Sequence, residues 1–520
     1  MDPSAWSGET RDEVVEVVDL LEFASARYGE QPFLQTPGGE SVTFTDVARF
    51  ARGLSAYLDS RGVETGARVA VVYPNSALLA LLFLGIIATR RVLIPLNPAS
   101  SSAELIHIFS DTEPALILSE RSRAEVVRGA CRGASVIEVS DEWDFVQTIL
   151  DQEAGALAPG SDPERDSEIV YTSGSSGMPK GVVLSHRSLL ADSFALGQLF
   201  DFSPGTSFLT LSPLFHNSGQ VFTTLTPLWC GGRTAIAHAE MATLRFWQLV
   251  EEFQAEWTLV VTSVLALLAR SSPPRASSSL RGILAGGSAL GASLMSNFES
   301  RFGARVYQCY GLTETTSVST CEQPDESSRA LGSAGTALPI CSIRINHPDA
   351  SGIGEVLIRG ENLLTRYLHL PELTSERLQD GWLHTGDVGH IDDDGHLFIV
   401  DRVDNMLIVG GENVYPSEVD RLAAQLDGVK DAVTVGIPHD VMGIDLVFVY
   451  EPEVGQAPEP RNWTEIFARE LSTFKIPRHR VSVQDLGFDS VPRAANGKVL
   501  RKPIEQRARD LLPTRRGGQE

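Results

Sequence analysis

The sequence predicts an α/β fold in two parts. A large N-terminal domain of parallel, helix-covered sheets carries a β-rich subdomain, and a small mobile C-terminal α+β domain follows. Three observations predict it. Short β-rich runs alternate with helical stretches from Phe44 to Tyr310, the pattern of parallel strands joined by covering helices. Beyond Gly352 the texture changes to strand pairs. A chain of 520 residues also exceeds the size at which one hydrophobic core keeps growing.

Between Phe44 and Leu58 the apolar residues Phe44, Val47, Phe50, Ala51, Leu54 and Leu58 recur at helical spacing behind a Thr45, Asp46 start signal. Alternation follows: ARVAVVY, a helix through Leu84, RVLIPL, a helix from Ala103, ALILS, a helix from Arg123 and ASVIEV. After a loop from Gly155 to Ser167 it resumes with EIVYT, a helix from Ser188, TSFLTL, a helix near Phe222, RTAIA, a helix from Leu244, TLVVT, RGILAG and ARVYQCYG. GEVLIRG and the hairpin VGHI, DDDG, HLFIV read as antiparallel strands, since Asp and Gly suit a tight reversal. MLIVGG, a helix from Pro416, DAVTVGIP, DLVFVYEP, a helix near Ile466 and RVSVQD form the last unit, with a boundary near Asp401 to Asn405. SSPPRASSS reads as a surface loop and PTRRGGQE as a frayed tail.

A net charge of −24 argues against nucleic acid as a partner, because neutralising phosphates needs clustered Lys and Arg. The same excess repels nucleotides at long range, so a nucleotide site must be built from local donors. Five cysteines, Cys131, Cys230, Cys309, Cys321 and Cys341, include no CxxC pair, which fits neither a disulfide framework nor a zinc site and points to a reducing cytoplasm. The N-terminus lacks a basic-then-apolar signal pattern, and the most apolar run, Leu78 to Ala88, is too short to span a bilayer. A cytoplasmic protein without a membrane span is expected.

The strand EIVYT leads into Thr172, Ser173, Gly174, Ser175, Ser176, Gly177, Met178, Pro179, Lys180 and Gly181. Small residues let backbone N–H groups and hydroxyls converge on phosphate oxygens, and one lysine supplies charge. This is not a Walker A loop, whose lysine is followed by Ser or Thr rather than Gly181. A flexible linker seldom sits directly between a buried strand and a long helix, the arrangement expected here.

The string YTSGSSGMPKGVVLSHRS resembles the signature loop of the adenylate-forming superfamily of acyl-CoA synthetases, adenylation domains and luciferases. PLFHNSG from Pro213, GGS from Gly286, YGLTETT from Tyr310, GWLHTGD from Gly381, DRVDNMLIVGGENVYPSEV from Asp401 and NGKVLRK from Asn496 resemble further motifs of that family, in order along nearly the whole chain. The resemblance implies ATP and Mg2+ as cofactors and CoA as a co-substrate. It implies an N-terminal AMP-binding domain at 1–403 with the acid and ATP sites, and a C-terminal lid at 404–520 hinged at Asp404.

Several roles follow from the resemblance alone. Lys498 would bridge the carboxylate and α-phosphate, although from composition it reads as a solvated lysine beside Arg501 and Lys502. Tyr310 and Gly311 would stack on and approach adenine, Thr313 would bond phosphate, and Glu314 would hold magnesium, for which one carboxylate among several waters suffices. Asp387 would accept the ribose hydroxyls, with Arg402 beside it, though a turn cap is the plainer reading of an Asp next to Gly. Gly286, Gly287 and Ser288 would let adenine and acyl group approach the backbone. His216 would lie between the acid pocket and a thiol tunnel, or be purely structural. Gly410 and Gly411 would admit a pantetheine thiol, since side chains there would block it. Lys475, Arg478 and Arg480 would pair with CoA phosphates or form a solvated basic edge.

The acid pocket is expected from His216, Asn217, Val221, Val261, Gly286, Gly287, Cys309 and Gly335, mainly neutral residues that favour an aryl or aliphatic acid without a second charge. Asn217 stands where amino-acid-activating domains carry Asp, which weakens an α-amino-acid substrate because a buried ammonium needs a carboxylate. Three alternatives stay open. A stand-alone adenylation enzyme would pass the acyl group to a phosphopantetheinyl carrier protein or to an amine; a β-amino acid would need a carboxylate not identified in the sequence; a non-catalytic nucleotide-binding homologue would need no reactive lysine.

Overall fold

A computed structural model describes residues 8–131, 133–172, 179–271, 279–288, 290–409, 412–439, 442–453, 460–493 and 499–512. The chain forms two compact units, one of 1–343, 357–384 and 395–397, the other of 344–356, 385–394 and 398–520. The second unit thus contains the expected 404–520 segment together with stretches upstream of Asp404.

Two sheets build the first unit. In one, strands Ser135–Val139, Leu116–Glu120, Arg68–Val72, Val92–Leu96 and Asp166–Thr172 run parallel in that spatial order. In the other, Pro32–Gln35, Arg233–Ile236, Ser207–Thr210, Trp257–Val261, Gly282–Gly286 and Arg305–Tyr310 do the same. Parallel strands need covering helices on both faces. One of these, Ala77–Ala88, is buried at every position, as a helix apolar all round must be. It accounts for the apolar run of the sequence, and no helix of the described residues is long and apolar enough to cross a membrane.

The helix Phe44–Asp59 buries Phe44, Val47, Phe50, Ala51, Leu54 and Leu58 as its spacing predicts. Its cap, however, is Thr43, two positions before Thr45: Thr43 Oγ1 accepts from Asp46 N at 3.1 Å, and Asp46 Oδ2 accepts from Thr43 N at 3.1 Å. Two further expectations are corrected. The phosphate segment does not pass from strand to helix, because KGVVLS forms a second strand, Lys180–Ser185, antiparallel to Asp166–Thr172 with Thr172 opposite Lys180. A short apolar run flanked by glycine fits either state, and here the ladder to a buried strand decides. The helix near Phe222 is also broken: Asn217–Gln220 and Thr226–Cys230 are α-helical, and Val221–Leu225 between them is a π-helix.

In the second unit a sheet of Val429–His439, Gly443–Pro452 and His479–Ser482 packs Trp463 and Phe467 of helix Pro460–Glu470 against Phe448 on one face. Ile504 and Ala508 of helix Arg501–Leu511 cover Val433 and Val435 on the other. The first answers to the helix expected near Ile466, and the second was not read from the sequence.

Thr43→Ala should cost about 1 kcal/mol of unfolding free energy and Thr45→Ala only a few tenths, since only the first removes a cap. Chemical denaturation of the two variants checks the order.

Candidate functional site

In an open parallel sheet, ligands bind outside the carboxyl ends of the strands, where the chain emerges into loops. Ser207–Thr210, Trp257–Val261, Gly282–Gly286 and Arg305–Tyr310 are neighbours in register, so the residues that follow them line one edge. His216, Val261, Gly286, Gly287, Ser288, Cys309, Tyr310, Gly311, Thr313 and Glu314 are thereby brought together from a stretch of about a hundred residues. Thr262 Oγ1 donates to Ser288 O at 3.1 Å, fastening two of these loops. Gly335 turns the chain beside the same edge at φ +77°, where a Cβ would come within 2.0 Å of the Cys321 carbonyl carbon. Gly311 is equally constrained, since a Cβ there would meet Ser317 O at 1.8 Å.

Glu314 lies in the 3-10 turn Thr313–Thr315, half-buried. Its Oε1 accepts from Tyr367 Oη at 3.0 Å, and its carbonyl accepts from Leu364 N at 2.8 Å. Tyr367 belongs to the short strand Arg366–Tyr367, which pairs with Lys180–Ser185 so that Tyr367 faces Val182 across the ladder. The carboxylate is therefore tied to the hairpin that bears the phosphate segment.

The base of that hairpin is braced as well. His107 on helix Ser102–Thr112 donates from Nε2 to Pro179 O at 3.0 Å, and Tyr171 Oη donates to Asp111 on the same helix. Thr172 and Lys180 are half-buried partners at its open end. Ser173, Gly174, Ser175, Ser176 and Gly177 lie outside the described residues.

On the acid side, His216 is open to solvent, yet the protein crowded around it lowers its pKa by desolvation. Asn217 is buried and turned inward, its Nδ2 donating to Glu168 Oε1 at 2.6 Å. Glu168 is fully buried on the strand that leads into the phosphate segment. Burial pushes its carboxyl up to about 8, against which the Gln220 and Asn217 side chains pull. It is the carboxyl the sequence reading lacked, and its signal was a lone charge in the apolar run EIVYT. Sealed behind Asn217, it offers no exposed anion to a substrate amine. Val221 is fully buried in the π-helical segment, about one turn from Asn217.

The second unit holds Asp387 and Arg402. Arg402 Nη1 donates to Asp387 Oδ1 at 2.9 Å, and Asp387 is 6% exposed. Asp401, not singled out in the sequence, accepts from Asn405 Nδ2 at 2.8 Å and Ser417 N at 2.9 Å, pinning the turn that contains exposed Asp404 to helix Pro416–Asp420. Lys475 pairs with Glu418 at 2.9 Å, Arg478 with Asp445 at 3.3 Å, and Arg480 donates to Thr464 at 2.8 Å. Gly410, Gly411 and Lys498 lie outside the described residues.

Residues 21–368 match the family model described as AMP-binding enzyme. The chain belongs to that family. A methyl-dioxo-octahydroindenyl propanoyl:CoA ligase of Rhodococcus jostii is 31% identical over 517 residues, covering 94% of this chain and 97% of that protein. A sulfoacetate–CoA ligase of Cupriavidus necator is 29% identical over 495 residues, covering 93% and 96%. The ATP-bound crystal structure of MatB from Rhodopseudomonas palustris shares the fold, with a TM-score of 0.85 at 24% identity over 95% of this chain and 99% of that one.

As an adenylate-forming ligase of the AMP-binding family, the chain uses ATP and Mg2+ to activate an acid for thioester formation. Glu314 fits the ion: a single half-buried carboxylate, oriented by a phenol, is the hard and sparse donor set magnesium takes when phosphates and water fill its other positions. When bound, magnesium supplies charge to the phosphate oxygens.

Because the Glu168 carboxyl titrates near 8 when folded and near 4.5 when unfolded, the unfolded state binds fewer protons between those values, and stability falls as pH rises through that window. Glu168→Gln, which needs no proton, should therefore stabilise the protein at pH 7 by about 3 kcal/mol at most. The gain should vanish below pH ~4.5, where both states of the wild type hold the proton. Urea denaturation at pH 4 and pH 7 checks the difference.

Proposed function

We propose that this enzyme activates a neutral aryl or aliphatic carboxylic acid as its acyl-AMP and passes the acyl group to the thiol of CoA. The observation that carries the reading is the tether from Glu314 through Tyr367 to the hairpin of Thr172 and Lys180. It sets a magnesium carboxylate against a phosphate segment, beside a loop edge whose acid-site residues Val221, Val261, Gly286, Gly287 and Cys309 bear no formal charge. Two charges in a substrate would find no partner among them, which supports a singly charged acid.

A carboxylate oxygen attacks the α-phosphorus in line, and the bond to pyrophosphate breaks. Both reactants are anions on a chain of net charge −24, so fixed local donors must hold them together. Lys180 and Thr172 serve the phosphates, Thr313 one phosphate oxygen, Tyr310 and Gly311 the adenine, and Asp387 with Arg402 the ribose. Lys498 is the ammonium at the meeting point of the two reactants. Asp404 is the hinge on which the C-terminal segment changes from adenylation to thiolation, when Gly410 and Gly411 admit the pantetheine. The thiol then displaces AMP at the acyl carbon beside His216. The low pKa of the crowded His216 ring keeps it neutral near pH 7, able to accept the thiol proton.

Glu418 holds Lys475 and Asp445 holds Arg478, so pairing with CoA phosphates would require an exchange of partners, with Arg478, 54% exposed, the freer of the two to make it. Five unpaired cysteines accord with a cytoplasmic site of action.

Acid-dependent exchange of pyrophosphate into ATP tests the reading. Lys498→Ala should lower it by about 100- to 1,000-fold, and unchanged exchange would refute the lysine's role. Offering CoA, a phosphopantetheinylated carrier or an amine to the preformed adenylate identifies the acceptor, and preference for either of the last two would overturn the assignment to CoA.

A further inference from the structure

One buried carboxylate touches neither the phosphate hairpin nor the acid loop, yet it grips the turn that carries Glu314. Asp192 lies on helix His186–Leu199, which follows the hairpin directly, and is fully buried. Its Oδ2 accepts from Val318 N at 2.9 Å, across 126 residues of chain. Its Oδ1 has no partner among the described residues. Taking a carboxyl out of water for one backbone donor is costly, and a neutral core side chain would fill the space at less expense.

The turn it grips is strained. Thr316, a β-branched residue, sits at φ +65°, a region such residues rarely enter, and is fully buried. Strain of this kind persists only where neighbours over-determine the backbone. Asn362 supplies a second hold: Thr316 Oγ1 donates to its carbonyl at 2.8 Å, while its Nδ2 donates to Thr315 O at 3.2 Å and Ser319 Oγ at 3.1 Å. The two clamps act on residues immediately following Glu314, and Tyr367 holds its carboxylate directly.

We infer that Asp192 is a positioning residue for the metal-bearing turn: by anchoring Val318 it keeps Thr316 in its strained conformation and so fixes where the Glu314 carboxylate points. This rests on Glu314 as the magnesium carboxylate of the proposed function. A groove of about 550 Å³ beside Arg187 and Arg366 was the other prominent feature of this unit, but both arginines are paired, with Glu164 and Asp166.

The test is nucleotide binding rather than turnover. Calorimetric titration of the full-length protein with ATP, with and without Mg2+ and without acid, gives the factor by which the ion tightens binding. Asp192→Ala should lose about 10- to 100-fold of that enhancement, the range expected when a residue orienting a metal ligand is removed, while metal-free ATP binds as in the wild type. Asp192→Asn keeps an acceptor for Val318 N and should retain the enhancement. Glu314→Gln is the reference for its complete loss. If Asp192→Ala keeps the wild-type enhancement at whatever melting temperature it shows, the inference is overturned and the proposed function stands. If Glu314→Gln keeps it too, the magnesium assignment itself has failed. Should Asp192→Ala not fold, Asp192→Leu, which fills the same space but offers no acceptor to Val318 N, must show the same loss, and an unaltered enhancement there overturns the inference equally.

Discussion

The two-residue strand Arg366–Tyr367 is the constraint on which the candidate site depends. Its backbone completes the ladder beside Lys180–Ser185, while the Tyr367 hydroxyl holds Glu314. Phosphate segment and metal carboxylate belong to different sheets, and a strand this short has little stability of its own. It stays in place because Val182, Leu184, Leu364, Tyr367 and Leu383 form a buried cluster around it. Packing energy from that small core thus becomes positional accuracy at a polar site, the preorganisation that phosphoryl chemistry requires.

Around this constraint the protein spends buried carboxyls freely. Glu168 and Asp192 are both fully buried, on the strand before the phosphate segment and on the helix after its hairpin. Desolvation raises the pKa of both, so each costs stability at neutral pH. Each also joins elements far apart in sequence: Glu168 reaches Asn217 of the acid loop, and Asp192 reaches Val318 behind the metal turn. Apolar residues would pack these gaps more cheaply but would allow the loops to slide, whereas a hydrogen bond fixes direction as well as distance. Burial disfavours the charged form of both, so they organise the site while adding little negative charge to confront the nucleotide.

The second unit shows the same economy with a different sign. Arg402 neutralises nearly buried Asp387, and Asp401 gathers donors from both sides of the turn at Asp404.

The alternation of β-rich and helical runs was enough to establish an α/β chain, and helical spacing alone identified the buried face of Phe44–Asp59, because burial imposes a period that survives in any context. Ordered motifs carried the family resemblance that singled out Tyr310, Glu314, Asp387 and Arg402, whose roles belong to the proposed function. Periodicity had nothing to say about KGVVLS, whose strand state comes from pairing with EIVYT, or about the π-helical turn at Val221–Leu225, whose register answers to packing. Nor could it reveal that Asp192, Glu168 and Tyr367 belong to one site. Their roles arise from contacts between residues 50 to 130 or so positions apart, and a sequence records such contacts only as isolated polar residues in apolar company. Tertiary structure decided them, because the free energy that justifies burying a carboxyl exists only once its distant partner has arrived.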